Sequence, residues 1–364
     1  TERKSAKDSA DQLIIMGADS LTTNLNDLTT SISLAGNPEV IVYREYEEGI
    51  LMHSLMSFQN TEAEGSSPSR SLVESYLSAN GLPIHQAENT MYKGDKWFFD
   101  EFADRDPRLY DNIDKEGLRL EGSVAVYAAT GYFAHLFVNP DLKTVPGGMS
   151  STNITDAPVM KLNEVMMNYI EAAAELADMG QYNLTQGDFD KTINALRNRP
   201  STSMPAVTLA GSNLAVNGVT INDPDRDKGQ MKSGDYEVSP ILWEVRRERR
   251  TELPYQGIRF NDLRRWGKLH YADMKVNPKL NLGAWLDKDA YVAWFNEQNG
   301  TSLTVEDLKG IHLDREGNAG YIVPAIDASL LRTCEDKHYL YPIPSQEIAL
   351  YQSNGYTLSQ NPGW

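Results

Sequence analysis

The most informative stretch of this chain covers residues 243–267 and reads WEVRRERRTELPYQGIRFNDLRRWG. Three glutamates, Glu244, Glu248 and Glu252, recur every four residues and therefore line one face of a predicted helix. Seven arginines fall within twenty residues of the same stretch: Arg246, Arg247, Arg249, Arg250, Arg259, Arg264 and Arg265. Because guanidinium groups bind carboxylates through forked hydrogen bonds, we interpret the stretch as a structural network that attaches this helix to its neighbours.

The same carboxylates permit a second interpretation. Glycoside hydrolases use two carboxyl groups roughly 5–9 Å apart, and Glu248 with Glu252 would form the pair. A general acid needs a raised pKa, however, whereas so many arginines would hold both carboxylates ionised. The sequence favours the structural network, which we assign to seven residues: Glu244, Glu248, Glu252, Arg246, Arg249, Arg250 and Arg264.

Composition narrows the classes of function. The 364 residues include 34 Lys and Arg against 51 Asp and Glu, so the formal net charge is −17. This acidity argues against nucleic-acid binding and against docking on anionic lipid, because both need clustered cations. The single cysteine, Cys334, excludes an internal disulfide and a zinc site built from cysteines, and its acidic neighbours predict an inert thiol. No apolar run approaches the ~18 residues that span a membrane.

The common catalytic signatures are missing from the sequence. It contains no phosphate loop of the G-x-x-x-x-G-K-[ST] type, no H-E-x-x-H and no G-x-S-x-G. The six histidines are scattered, and the nearest two, His312 and His338, are 26 residues apart. We therefore expect no catalytic residue and no cofactor.

One acidic segment resembles a calcium-binding loop. Asp223, Asp225 and Asp227 alternate as in an EF-hand, but Gly229 comes one residue late and Gly234 stands where a glutamate should close the loop. A solvated polar loop is the favoured interpretation, and the three aspartates are weak calcium candidates.

Hydrophobic periodicity predicts a mainly α protein with short strands in its irregular parts. The predicted helices are 5–18, 71–79, 156–180, 185–200, 239–254, 261–269 and 290–297. The predicted strands are 39–43 and 123–127. Residues 201–234 are polar and rich in Asn, Asp and Gly, which indicates a long inserted loop. The chain thus divides into an irregular part (1–150), a helical scaffold (151–270) and an irregular C-terminal region (271–364).

Aromatic residues between positions 92 and 110 are the candidates for ligand binding. Flat rings on loops suit stacking against the apolar faces of sugars, while neighbouring charged groups bind the hydroxyls. A small core beneath a long loop is the alternative, and composition alone leaves both open. The ligand candidates are the rings of Tyr92, Trp97, Phe98 and Tyr110, with Asp95, Arg105 and Asp106 as polar partners.

Several stretches together resemble one family. Residues 243–267, the terminus from Tyr341-Pro-Ile-Pro344 to Asn361-Pro-Gly-Trp364, the helix from Asp156 and the run Ile193-Asn-Ala-Leu-Arg197 resemble motifs of the SusD/RagB family in order and spacing. Residues 67–76 and 105–108 fit its middle region. The chain departs from the pattern at Lys161, where arginine is usual, and at Gln256, where glutamate is common.

The resemblance implies one SusD-like domain over 1–364, with tetratricopeptide-like helical hairpins and a large irregular, loop-rich half on the ligand side. It implies a lipid-anchored, non-catalytic protein on the outer-membrane surface of Bacteroidota. Such a protein captures oligosaccharide, in some members peptide, and passes it to a TonB-dependent SusC-like barrel. The family's N-terminal portion, with its lipid-anchored cysteine and first helical repeats, is expected to be missing here, so membrane contact would come only from that portion.

Two other classes of function remain open. One is a secreted glycoside hydrolase that uses Glu248 and Glu252. The other is a purely structural or adhesive repeat protein.

Overall fold

The fold is described from a computed structural model covering residues 2–17, 21–61, 67–149, 151–227, 237–327 and 329–364. The α-helices are, in chain order, α1 (Glu2–Gly17), α2 (Asp27–Thr30), α3 (Leu55–Thr61), α4 (Arg70–Val73), α5 (Phe98–Phe102), α6 (Pro107–Asn112), α7 (Leu162–Asp178), α8 (Gln186–Asp190), α9 (Ile193–Arg197), α10 (Pro240–Glu252), α11 (Arg259–Arg265), α12 (Lys288–Asn299) and α13 (Ser345–Ser353). No helix within these ranges has the length and apolar character needed to cross a membrane.

Short strands form small antiparallel sheets. The strands are β1 (Val40–Arg44), β2 (Ala157–Lys161), β3 (Thr208–Ala210), β4 (Asn213–Val216), β5 (Val219–Thr220), β6 (Trp285–Asp287) and β7 (Ala319–Tyr321). Strand β1 pairs with β2, β4 lies between β3 and β5, and β6 pairs with β7 in the register Trp285 opposite Tyr321. Helical residues outnumber strand residues, as predicted for a mainly α protein.

The chain folds into two compact units that interleave along the sequence. Unit 1 holds the described residues of 1–227, 237–254 and 282–324. Unit 2 holds those of 255–281 and 325–364. These borders differ from the predicted boundaries at 150 and 270, because both units are built from separate segments.

Unit 1 contains the long helices. Helix α7 repeats apolar residues at helical spacing, buries most of its side chains and packs against α1 and α10. Helix α10 begins where the Ser239 hydroxyl accepts a hydrogen bond from the N–H of Leu242, and Pro240 occupies its first turn. A separate aromatic and aliphatic core joins α5 and α6 to α12 and includes Phe98, Tyr132 and Phe295.

Unit 2 has a small core of its own. Leu263, Trp266 and Leu269 are buried together, with Cys334 and Tyr339 packed against them. The Cys334 thiol donates a hydrogen bond to the carbonyl of Leu269, and burial raises the pKa of this thiol. Both facts agree with the inert thiol expected from the sequence.

The predicted helix start at Asp156 is wrong. Residues 157–161 form strand β2, and α7 begins only at Leu162. The Asp156 carboxylate accepts hydrogen bonds from the N–H groups of Leu34 and Tyr46 and so holds the preceding loop. Pro158 fits a two-stranded ribbon, because every strand of such a ribbon is an edge where a missing N–H is tolerated.

Three other local predictions also differ from the structure. Residues 123–127 form turns and loop instead of a strand, and the predicted helix 185–200 breaks into α8 and α9 at Thr192. The predicted loop 201–234 contains the β3–β4–β5 sheet, and its residues 228–236 lie outside the described ones. Asn217-Gly218, both at positive φ, form the tight turn between β4 and β5, so this dipeptide was an overlooked hairpin signal.

Candidate ligand-binding site

Arg108 lies at the centre of a buried network of charges in unit 1. Its guanidinium donates to the carboxylates of Asp106 (2.7 Å), Glu248 (2.9 Å) and Glu252 (3.1 Å). Arg197 also pairs with Glu248, and Arg199 bridges Glu252 (3.0 Å). These pairs join α6, α9 and the segment after α9 to the glutamate face of α10.

One arginine of α10 pairs within the helix, and others contact neighbouring segments. Arg247 pairs with Glu244 at 2.9 Å, whereas Arg246 and Arg249 face the carboxylates of α7. Arg250 donates to the Ser71 hydroxyl at 3.0 Å. In unit 2, Arg264 donates to the carbonyl of Tyr339 at 2.9 Å. The carboxylates of Glu248 and Glu252 are thus held by arginines from outside the quoted stretch.

The buried glutamates have no access to a substrate. Glu248 is 3% exposed and Glu252 is 1% exposed. Burial raises the pKa of Glu248, but the charges of Arg108 and Arg197 outweigh it and hold this pKa at about 2. A carboxyl group that stays ionised at neutral pH cannot act as a general acid, so this geometry disfavours the glycoside-hydrolase alternative.

The three calcium candidates have protein partners. Asp223 accepts a hydrogen bond from the Trp243 indole at 2.6 Å and pairs with Arg247. Asp225 pairs with His85, and Asp227 accepts from the N–H of Val238 at 3.0 Å. Among the described residues, no three His, Cys, Asp or Glu side chains come together in a metal-binding arrangement.

Three of the predicted ligand residues lie in the interior. Phe98 belongs to the core, and Asp106, which is 1% exposed, pairs with Arg108. Arg105 is 2% exposed and donates to the carbonyl oxygens of Val73 and Glu101, among others. Arg105 and Asp106 have no surface that a ligand could reach in this structure, whereas Phe98 also lines the pocket described below.

Two predicted tyrosines are half-buried. The Tyr110 hydroxyl donates to the carbonyl of Phe102 at 2.6 Å, which fixes the ring against the end of α5. The Tyr92 hydroxyl is buried, and among the described residues no group hydrogen-bonds to it. Burial also raises the pKa of Tyr92. Neither ring lines the pocket described next.

Trp97 lines a small, open pocket at the surface of unit 1. Phe99 and Trp294 adjoin it, with ring centroids 5.9 Å and 6.1 Å from that of Trp97. The wall also contains Trp285 of β6 and Tyr291 of α12. Phe99 is 36% exposed, and the three indoles are half-buried, so their remaining surface faces solvent.

Polar groups adjoin the rings. Lys96 and Asp287 line the pocket, and the Lys96 ammonium lies 3.7 Å from the centroid of the Trp285 ring. Lys96 also donates to the Tyr321 hydroxyl (2.8 Å), which donates in turn to Asp95 (2.5 Å). Burial raises the pKa of Asp95, but the Tyr321 hydrogen bond and the charges of Arg70 and Lys96 leave it below its ordinary value.

Gly117 forms part of the pocket wall and makes room for Trp294. Its φ of 137° is a conformation that side chains rarely adopt. A Cβ at this position would lie 2.7 Å from the Trp294 ring. The close approach of backbone and indole therefore requires glycine.

Known proteins resemble this chain in sequence and in fold. A sequence profile of the SusD family matches residues 44–364. The chain belongs to the SusD family. The predicted resemblance is confirmed, as is the mainly α, SusD-like fold with tetratricopeptide-like helix pairs. No curated protein sequence matches the chain.

Two solved structures illustrate the likeness. A SusD-like carbohydrate binding protein from Bacteroides fragilis shares 23% identity with a TM-score of 0.62, covering 95% of this chain and 60% of that one. A SusD-like protein from the same species shares 18% identity with a TM-score of 0.55, covering 99% and 62%. At these identities the likeness shows a common fold. This SusD-family chain spans about three-fifths of the length of both structures.

Sequence reasoning missed most of the pocket of this SusD-family chain. Of the seven predicted ligand residues, Trp97 and Phe98 line it and Asp95 contacts its lysine. Trp285 and the adjoining Tyr321 come from stretches predicted as irregular, and Trp294 comes from the predicted helix 290–297. Their one signal was the presence of tryptophans in a polar segment, since large rings outside a regular core often mark a binding surface.

Proposed function

We propose that this SusD-family chain binds an oligosaccharide at the pocket of Trp97, Phe99, Trp285 and Trp294 and releases it unaltered. The observation that carries the proposal is the group of partly exposed rings around an open pocket. Indole and phenyl faces stack on the apolar C–H faces of sugar rings, while polar groups at the rim bind hydroxyls. Lys96 and Asp287 are the polar groups at this rim.

The positions of the carboxylates explain why we propose binding without catalysis. The pocket wall of unit 1 holds one carboxylate, Asp287, whereas glycoside hydrolysis uses two. The paired glutamates of α10 are buried and bound to arginines. A site built in this way binds and orients a ligand without cleaving it.

The wider role follows from membership of the family. We propose that the protein acts at the outer-membrane surface, to which a lipid anchors it. It would deliver its ligand to a TonB-dependent SusC-like barrel. A carbohydrate-binding relative of the same fold supports a glycan as ligand in preference to the peptide alternative.

Calorimetric titration of the purified chain tests the proposal. The ligands are neutral hexasaccharides of glucose, galactose and mannose in α and β linkages, and peptides of similar mass. Trp97→Ala should weaken glycan binding by about tenfold or more, because ring anchors in pockets typically dominate binding energy. Phe99→Ala should also weaken binding. Phe58→Ala is the matched control, because Phe58 is 39% exposed, like Phe99, but lies outside the pocket.

Three results would contradict the proposal. Binding of glycans that is unchanged in both pocket variants would place the site elsewhere. Binding of peptides alone would favour the peptide alternative. Release of reducing sugar during the titration would show an enzyme.

A further inference from the structure

We propose that the pocket accepts uncharged sugar units and rejects glycans that carry carboxylate or sulfate groups, and that Asp287 sets this preference. The inference deepens the proposed function and rests on it. It depends on which charges at the pocket are available to a ligand.

Lys96 is the cation of the pocket wall, and its ammonium contacts several protein groups although the side chain is 59% exposed. It donates to the Tyr321 hydroxyl at 2.8 Å and lies 3.2 Å from a carboxylate oxygen of Asp95. The face of Trp285 lies beneath it at 3.7 Å. These contacts offset part of the positive charge of Lys96 but leave the ammonium accessible to solvent. An anionic ligand would have to compete with Asp95 for this charge.

The arginines next to the rings are paired as well. Arg315, 5.1 Å from the Trp285 centroid, forms two hydrogen bonds of 2.9 Å to Asp314. Arg70, 4.1 Å from the Tyr321 centroid, pairs with Glu74 (2.6 Å) as well as with Asp95 (3.0 Å). Ion pairs of this kind leave little net positive potential for a carboxylate or sulfate.

Asp287 supplies the charge that a ligand would meet. One of its carboxylate oxygens accepts a hydrogen bond from the N–H of Ala290 at 3.0 Å and thereby caps α12. Its second oxygen has no hydrogen-bond partner among the described residues, while the side chain lines the pocket. A helix N-terminus normally attracts anions, but here Asp287 already occupies that position. The carboxylate can accept hydrogen bonds from sugar hydroxyls and repels a ligand anion.

The net charge of the whole chain also disfavours an anionic ligand. The chain carries a formal net charge of −17, so an approaching polyanion meets a repulsive field. Aromatic faces gain nothing from a negative ligand group, because the face of a π-system is itself negative. The rings of the pocket, together with three cations (Lys96, Arg70 and Arg315) offset by four carboxylates (Asp95, Glu74, Asp314 and the half-buried Asp287), therefore suit uncharged, hydroxyl-rich sugar units.

Paired ligands test the inference in the intact chain. Neutral hexasaccharides of glucose, galactose and mannose are each compared with the hexuronate of the same linkage, in which carboxylates replace the C6 hydroxymethyl groups. At low salt the neutral member should bind at least about tenfold more tightly. The preference should narrow at ~0.5 M salt, because screening shortens the range of the repulsion.

Asp287→Asn is the diagnostic variant, because asparagine caps a helix as well as aspartate does and the fold is preserved. The preference for the neutral ligand should fall at least about threefold in this variant. Asp289→Asn, in the first turn of the same helix but outside the pocket wall, is the matched control and should keep the preference.

The outcomes separate this inference from the proposed function. A hexuronate that binds as tightly as its neutral partner, and loses affinity in Trp97→Ala, would overturn the inference and leave the proposed function standing. An Asp287→Asn variant with unchanged preference would overturn the role of Asp287. If no member of the panel bound, the proposed function would fail and the inference with it.

Discussion

Replacement of Glu248 by glutamine tests whether the buried network of α10 stabilises the fold through its charges. The carboxylate of Glu248 pairs with Arg108 at 2.9 Å and also with Arg197. The substitution keeps the size of the side chain and removes its charge. Two buried guanidinium groups then lose an anionic partner.

The expected magnitude follows from the pKa of Glu248. Burial raises this pKa, but Arg108 and Arg197 together bring it down from an ordinary value of 4.5 to about 2. A difference of one pH unit between folded and unfolded pKa corresponds to about 1.4 kcal/mol, so the ionised form should stabilise the fold by about 3 kcal/mol. This stabilisation is present above pH 4.5 and is lost as the pH falls from about 4.5 to about 2.

Urea unfolding between pH 3 and pH 8 measures the effect. At pH 7 the free energy of unfolding of Glu248→Gln should be lower than that of the unmodified chain by about 3 kcal/mol. The difference should shrink as the pH is lowered, because the unmodified protein then loses the same charge. Glu306→Gln is the control, since Glu306 forms an exposed pair with Lys309 and should change stability little at any pH.

Two results would refute this reasoning. A loss below about 1 kcal/mol at pH 7 would mean that the charge of Glu248 contributes no more than a surface pair does. A loss that stays constant down to pH 3 would mean that glutamine acts through packing instead of through the missing charge.

Two further predictions concern α5 and the wall of the proposed pocket in unit 1. Glu101 is buried and accepts hydrogen bonds from the Tyr132 hydroxyl, and burial raises its pKa from 4.5 to about 7, so stability should fall as the pH rises through this range. Glu101→Gln should therefore raise the free energy of unfolding at pH 8 by about 3 kcal/mol and leave it unchanged below pH 4.5, whereas equal curves at pH 8 would contradict the raised pKa. Gly117→Ala should displace the Trp294 ring and weaken glycan binding by about tenfold, measured by titration and by indole fluorescence. Gly94→Ala is its control, because Gly94 also has a positive φ but no atom lies near its missing Cβ, and equal effects of the two variants would mean that backbone strain alone is responsible.

Local signals in the sequence predicted the long helices well. The glutamates at every fourth residue, together with Pro254, predicted a helix at 239–254. The structure has α10 at Pro240–Glu252. The start of α7 could not be found in this way. Pro158 suits the first turn of a helix and an edge strand equally, and only the pairing with β1 decides between them.

Local sequence patterns could not predict the partners of the buried charges. Arg108 is 140 residues from Glu248 and 144 from Glu252 in sequence. Charge spacing identifies pairs one turn apart on a helix, but it says nothing about pairs that form only when distant segments fold together. The sequence therefore indicated that the glutamates would be bound by arginines, which holds within the stretch for Glu244 and Arg247, but it could not identify Arg108, Arg197 and Arg199 as the partners of Glu248 and Glu252.

The short helix α5 determines which rings of the aromatic cluster at 92–110 are buried, and a helix of five residues is too short to predict from the sequence. In the five-residue helix α5, Phe98 and Phe102 lie one turn apart and stack with centroids 4.2 Å apart in the core. Trp97 and Phe99 flank Phe98 and reach the pocket. Composition could show that rings cluster here, but only the helical geometry separates the buried rings from the exposed ones.

The position of Arg105 connects the buried charges to the pocket. Its guanidinium donates to the carbonyls of Val73 at the end of α4, of Tyr76 just after α4 and of Glu101 in α5, so it holds the end of the helix that carries Phe99. The next residue, Asp106, caps α6 and pairs with Arg108 in the network. Charged groups that are fully buried cost more than apolar ones unless their geometry is fixed, and a fixed geometry is what a pocket of rings requires. Arg105, predicted from the sequence as a ligand contact, is thus buried and holds the backbone of α5, the helix that carries Phe99 to the proposed pocket.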